Sequence, residues 1–210
     1  MRAMRPKATV QIRHNVEDAD KTAVYSRGKK ASDAPGTSGA QGNVYLVGLR
    51  ASGKTTLGKM LAERLGRSFV DTDELCVQQA GMTIAELVQA QGWDGFRELE
   101  AKVVRQVGET SGQVVATGGG VVLRDENRDV LRDTGRVFYL MADPGLLAGR
   151  LAKDPNEAQR PALTDMDLRQ ELAATLTERE PLYMGVANFI LQAGAPLESL
   201  VEDVLEKLKM

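Results

Sequence analysis

From Asn43 to the end of the chain, short apolar runs alternate with longer segments whose apolar positions recur three and four residues apart. Val44–Val47 is the first run, and four consecutive apolar residues predict a strand buried on both faces. Leu57, Leu61 and Leu65, with Met60, then line one face of a helix that Gly66 ends. Ser68-Phe69-Val70 reads as a short second strand running into Asp71-Thr72-Asp73. From Glu74 to Gly112 the pattern is mostly helical, broken near Gly81-Met82-Thr83 and Gln91-Gly92. Thr83, with Glu86 three residues on, has the form of a capping box. Val114-Val115-Ala116 is a third strand, ended by Gly118-Gly119-Gly120, and Arg136–Leu140 is a fourth, preceded by a helix over about Glu126–Asp133. The helix Pro144–Leu151 leads into a polar stretch, Lys153 to Asp165, with no core pattern. A helix over Leu168–Tyr183, a fifth strand at Asn188–Leu191 and a closing helix at Leu197–Leu208 complete the chain.

Strands separated by helices predict an α/β domain of three layers, a five-stranded parallel sheet with helices on both faces. Ligand sites in such folds lie beyond the carboxyl ends of the strands. The loops after Val47, Val70, Ala116 and Leu140 are thereby expected around one crevice.

Composition changes this picture little. Of 210 residues, 42% are hydrophobic and 27% charged, ordinary for a globular domain. No apolar run approaches the length of a membrane span, so no membrane partner is expected. Charge is more informative. Residues 1–42 hold eight Lys/Arg against four Asp/Glu, giving the tail +4 and the remainder −6 of the net −2. An acidic body argues against nucleic acid as a partner. The tail shows no sustained period and closes in a run rich in Gly, Ala, Ser and Pro, which predicts a disordered or loosely held extension over 1–42. Glu17, Asp18 and Asp20 fit a basic organellar presequence poorly. The single cysteine, Cys76, has no internal disulfide partner and suits a reducing cytoplasm. His14 is the only histidine and lies in the tail, so proton transfer in the body falls to a carboxylate, a lysine, a thiol or water.

The most specific chemistry is Gly48-Leu49-Arg50-Ala51-Ser52-Gly53-Lys54-Thr55-Thr56, a G-x-x-x-x-G-K-[ST] motif between a strand and a helix. Its glycines let backbone N–H groups turn inward at a helix N-terminus and form an anion site. Gly48, Arg50, Ala51, Ser52, Gly53, Lys54, Thr55 and Thr56 are the expected ATP-binding residues, with Lys54 reaching the outer phosphates and the Thr55 hydroxyl available to Mg²⁺. Three further groups stand where a second substrate would. Asp71-x-Asp73 offers two carboxylates for two tasks, though an N-cap and a first-turn acid have the same form. Gly118-Gly119-Gly120 either brings backbone close to a ligand or simply ends a strand. Arg97 and Glu100 either hold an anionic substrate or form a solvated i,i+3 pair.

Gly48–Thr55, Asp71-x-Asp73, Phe96-Arg97, Gly118–Gly120, Arg160-Pro161 and Arg179-x-Pro181-x-Tyr183 occur in the order seen in shikimate kinases. The resemblance spans about Asn43 to Leu208. It implies a P-loop kinase domain over 43–210, with a helical substrate-binding insert at about 74–112 and a lid at about 153–165. It also implies ATP-dependent phosphorylation of the 3-hydroxyl of shikimate, with Mg²⁺ as cofactor and ATP and shikimate as small-molecule partners. Nothing in the chain demands more than a monomer. Asp73 resembles the carboxylate that faces the attacking hydroxyl. Arg97 and Arg179 resemble the arginines that clamp the substrate's carboxylate, and Glu100 the acid that orients Arg97. Gly118, Gly119 and Gly120 look like the loop lining that pocket, and Thr55 and Asp71 like the magnesium-side residues, Asp71 through water. Arg160 is similar to the lid arginine that closes on the phosphates. Lys153 and Pro196 are expected beside the adenine, although the family usually has arginine where Lys153 stands.

Overall fold

The computed structural model describes residues 42–153 and 167–210. The expected tail and most of the expected lid, His14 and Arg160 included, lie outside the described residues.

Five strands form one parallel sheet in the order β2-β3-β1-β4-β5. They are β1 (Asn43–Val47), β2 (Phe69–Asp71), β3 (Val114–Ala116), β4 (Gly135–Met141) and β5 (Phe189–Gln192). β1 is central and buried at every residue, as its unbroken apolar run requires. β3, beside it, is buried throughout as well. Among the described residues the helices are α1 (Lys54–Leu65), α2 (Thr72–Ala80), α3 (Ile84–Gly108), α4 (Asp125–Thr134), α5 (Pro144–Leu151), α6 (Leu168–Val186) and, after the last strand, α7 (Leu197–Lys207). A 3₁₀ turn covers Val121–Leu123. The crossover from β1 to β2 runs toward one edge of the sheet and the later ones toward the other, and right-handed crossovers of opposite direction put their helices on opposite faces. In keeping with this, α1 meets α7, while α4 meets both α3 and α6.

Local chemistry sets the ends of these elements. Gly53 and Gly66, both with positive φ, start and stop α1. The Asp71 carboxylate caps α2 by accepting from the Asp73 N–H at 3.0 Å. Thr83 and Glu86 form the expected capping box of α3, and α3 kinks at Gly92, where φ is 74°. Asp143 caps α5, with Pro144 in its first turn. The amino end of the sheet is closed by Asn43, whose buried amide donates to Thr110 O at 2.7 Å and Val107 O at 3.2 Å. The carboxyl end stays open between β1 and its neighbours β3 and β4, where the strand order reverses, and that is where the polar loops meet.

Candidate active site

The loop after β1 is held in shape from both sides. Lys54, only 8% exposed, donates to Gly48 O at 2.9 Å and Leu49 O at 2.7 Å. Arg150, on α5, donates to Ala51 O and Ser52 O at 3.1 Å each and to Ala193 O at 2.7 Å. Ala51 accepts a left-handed φ of 59° within this turn. With its carbonyls bound by cations, the loop is free to present N–H groups to an anion at the start of α1. A cavity here is lined by Arg50, Ala51, Ser52, Gly53, Lys54, Thr55 and Thr56, by Asp71, Asp73 and Gly119, and by Arg150, Ala193, Ala195, Leu197 and Leu200 among others. The Thr55 hydroxyl donates to Asp71 Oδ2 at 2.9 Å on its floor.

A second cavity adjoins the first. Asp73, Arg97, Glu100, Gly118, Gly119, Gly120, Thr175 and Arg179 supply its polar wall, and Leu49, Ile84, Trp93, Phe96 and Leu172 the apolar one. The i,i+3 pair of the sequence is a buried one: Arg97 Nη1 donates to Glu100 Oε2 at 2.7 Å, and Glu100 is fully buried. Phe96 and Trp93 flank the guanidinium, their ring centres 5.0 and 5.4 Å from it. Burial pushes the Glu100 carboxyl above its ordinary value, and Arg97 pulls it back toward ionisation. Its Oε1 has no hydrogen-bond partner among the described residues. From α6, Arg179 donates to Gly119 O at 3.2 Å while its buried Nε has no partner among those residues. The Tyr183 hydroxyl also donates to Gly119 O, and its ring stacks on Tyr139.

Two of the three glycines after β3, Gly118 and Gly120, answer to a close neighbour. A Cβ at Gly118 would lie 2.5 Å from Asp73 Oδ1 and 2.8 Å from Glu100 Oε1, and one at Gly120 would collide with the Arg97 guanidinium. Close approach to the site, rather than a plain turn, is what needs glycine here. The Gly118 N–H is anchored by Thr72 Oγ1 at 3.0 Å. The obstruction at Gly120 is the end of a flexible side chain, so the fold should tolerate alanine while Arg97 moves. Gly120→Ala is therefore expected to raise the KM for the acid substrate by about 10- to 100-fold, the worth of one charged hydrogen bond. Steady-state kinetics that leave the ATP KM unchanged would complete that result.

Most of the site residues read from the sequence line these two cavities; Gly48, Lys153 and Pro196 do not, and Arg160 lies outside the described residues. Lys153 is exposed beyond the end of α5, and Pro196 is an exposed residue preceding α7; neither lines the phosphate cavity, although Ala195 and Leu197 beside Pro196 do. Arg150, on the same stretch of chain, does line it. It sits on the inward face of α5, one turn earlier, a position that the apolar spacing of Leu147 and Leu151 marks out. Nothing in the local sequence singles out Glu171 and Thr175. They lie on a helix face that continues to Arg179, and polar residues on that face are buried because they border the site. Cys76 is buried among the core residues near Asp73; burial first, then the Asp73 and Glu100 charges, push its thiol up to about 12.

A parallel sheet with a phosphate loop at its switch point, facing a cavity of carboxylates and arginines, defines a P-loop phosphotransferase of small molecules. The family model for shikimate kinase matches residues 50–209. Shikimate kinase 2 of Yersinia pestis (strain Pestoides F) is 48% identical over 165 residues, covering 79% of this chain and 94% of that one. Among solved structures, shikimate kinase from Acinetobacter baumannii in complex with shikimate is 34% identical with a TM-score of 0.76, covering 80% of this chain and 93% of that one. Shikimate kinase from Bacteroides thetaiotaomicron is 32% identical with a TM-score of 0.73, covering 80% and 98%. This chain belongs to the shikimate kinase family.

Proposed function

We propose that this chain transfers the γ-phosphoryl group of ATP to the 3-hydroxyl of shikimate, giving shikimate 3-phosphate on the chorismate route to the aromatic amino acids. The observation that carries the reading is Asp73, which borders both cavities, with Arg97 and Arg179 across the second. Shikimate is a small hydroxy acid. Its carboxylate suits the two guanidinium groups, and the unpartnered Nε of Arg179 is a donor that such a carboxylate satisfies. Holding the acid at that end fixes which hydroxyl meets Asp73. Asp73 accepts or orients the hydroxyl proton, the task that a body without histidine leaves to a carboxylate. Lys54 and the loop N–H groups stabilise the charge that spreads over the phosphoryl oxygens during transfer. Gly118, Gly119 and Gly120 supply the closely packed wall, and Glu100 keeps Arg97 aimed.

Magnesium fits the residues present, since the Thr55 hydroxyl and the Asp71 carboxylate place two hard oxygen ligands side by side. Thr55, and Asp71 through water, would hold the ion, which when bound neutralises phosphate charge. Arg160 remains the expected lid arginine on sequence grounds. On the nucleotide side Arg150 lines the cavity that Lys153 does not, with Pro196 toward the adenine. We read the protein as a cytoplasmic monomer. No described helix is long and apolar enough to cross a membrane.

Coupled ADP release with shikimate, gluconate and nucleoside monophosphates side by side tests the reading. Turnover is expected with shikimate alone, and turnover confined to either of the others would replace it.

A further inference from the structure

Arg50, partly buried, and Glu171, buried, form an ion pair that the mechanism above does not use. Arg50 stands in the phosphate loop, and Glu171 in the first turn of α6, 121 residues later. Their Nη2 and Oε1 atoms are 2.5 Å apart, and their side chains are 15% and 3% exposed. The pair spans the two halves of the site. With Asp73 and Gly119, Arg50 borders both cavities. Glu171, Thr175 and Arg179 follow one another at four-residue intervals, so they share a face of α6, and all three are buried. Thr175 and Arg179 line the acceptor cavity, as does Leu172 beside Glu171.

This pair is poorly explained as a source of stability. Burying two charges repays its desolvation cost only when the remaining donors are satisfied. The Nε of Arg50 is buried with no hydrogen-bond partner among the described residues. A pair of apolar residues would serve the fold as well, whereas an ion pair fixes one register between the loop and the helix.

We infer that the Arg50–Glu171 pair is a positioning device for phosphoryl transfer. It sets the distance between the loop that holds the phosphates and the helix face that holds the acid substrate, and so aligns the hydroxyl with the γ-phosphorus. Alignment of this kind acts on kcat, because a displacement of about 1 Å in a reacting pair costs up to roughly 10²-fold. Water should capture part of the phosphoryl flux when alignment is lost. The inference rests on the shikimate kinase reading and falls with it. The unmodified protein reports on that reading in the same assay, by transferring phosphate to shikimate or failing to.

The test uses the full chain carrying Glu171→Gln, Arg50→Met, Arg50→Lys, or Glu171→Gln with Arg50→Met. ADP and phosphorylated shikimate are measured separately, and rates are normalised to the folded fraction. Each of Glu171→Gln and Arg50→Met is expected to lower kcat about tenfold, within the alignment range above. The ratio of ADP to phosphorylated acid should rise above that of the unmodified protein. The double variant should fall no further than the worse single one, because both remove the same contact. Arg50→Lys, which keeps a charge opposite Glu171, should recover part of the rate. Single variants with unchanged kcat, effects that multiply in the double variant, or an unchanged product ratio would each overturn the inference.

Discussion

Replacing Lys54 by alanine is expected to lower kcat by at least about 10³-fold, the upper range for removing one preorganised donor to a developing charge. Lys54 does two things at once. Its ammonium group faces the phosphate cavity, and it donates to the carbonyls of Gly48 and Leu49. Alanine removes the charge and also frees two carbonyl dipoles at the mouth of an anion site, where their negative ends repel phosphate. The loss therefore exceeds that of a single hydrogen bond. Lys54→Arg should not restore the rate, because the planar fork is bulkier than the ammonium that Gly48 O and Leu49 O hold at 2.9 and 2.7 Å. Single-turnover measurement with excess enzyme checks the result. An intact chemical step with only a raised ATP KM would show that Lys54 binds ground state and transition state alike.

Arg97→Ala should act on the other substrate. Losing one arm of a charged clamp at about 1.5–3 kcal/mol for each hydrogen bond predicts a shikimate KM raised by roughly 10²-fold, with the ATP KM nearly unchanged. An unchanged shikimate KM would remove Arg97 from the clamp. The same substitution has a second, separable effect. Glu100 loses its cation while remaining fully buried, and an uncompensated buried charge costs about 3–5 kcal/mol. Burial already raises the Glu100 carboxyl above its ordinary value of 4.5, and without Arg97 the rise is larger. A carboxyl raised by folding binds its proton more tightly in the native state. Its favourable contribution is complete below the unfolded value and is lost as pH rises through the folded one. The stability gap between Arg97→Ala and the unmodified protein should thus be widest at neutral pH and narrow on acidification. Thermal melts across that range measure it, and adding Glu100→Gln should close much of the gap at neutral pH.

The elements of this fold were legible because both periods in the chain are clean. Val114–Ala116 and Pro144–Leu151 coincide with the expected strand and helix, and the other strands differ by a residue or two at their ends. α6 runs past its expected end at Tyr183, through Pro181, to Val186. A proline forfeits one helical hydrogen bond, but the turn beyond it buries Tyr183 and Val186, and that burial holds the helix together. The strand order was not legible, since pairing depends on contacts between distant segments rather than on any local period. The site divides in the same way. Residues in contiguous motifs, such as Gly48–Thr55 and Gly118–Gly120, announce themselves. Arg150 and Glu171 do not, because each lies in a helix with no motif of its own around it, and only the fold brings them against the phosphate loop. Arg97 with Glu100 falls between the two cases: spacing suggests the pair, and only burial separates it from a solvated one.

The wall common to the two cavities, made by Arg50, Asp73 and Gly119, is a single layer of residues. One molecule bearing a nucleoside phosphate at one end and a hydroxy acid at the other would therefore seat both ends at once. Attaching the first end makes docking of the second intramolecular, at an effective concentration that reaches about millimolar for a short flexible tether. Avidity would then grow without any new contact. The tether would pass Asp73, so an uncharged ether or hydroxyl there is acceptable, whereas an added anion would meet a carboxylate.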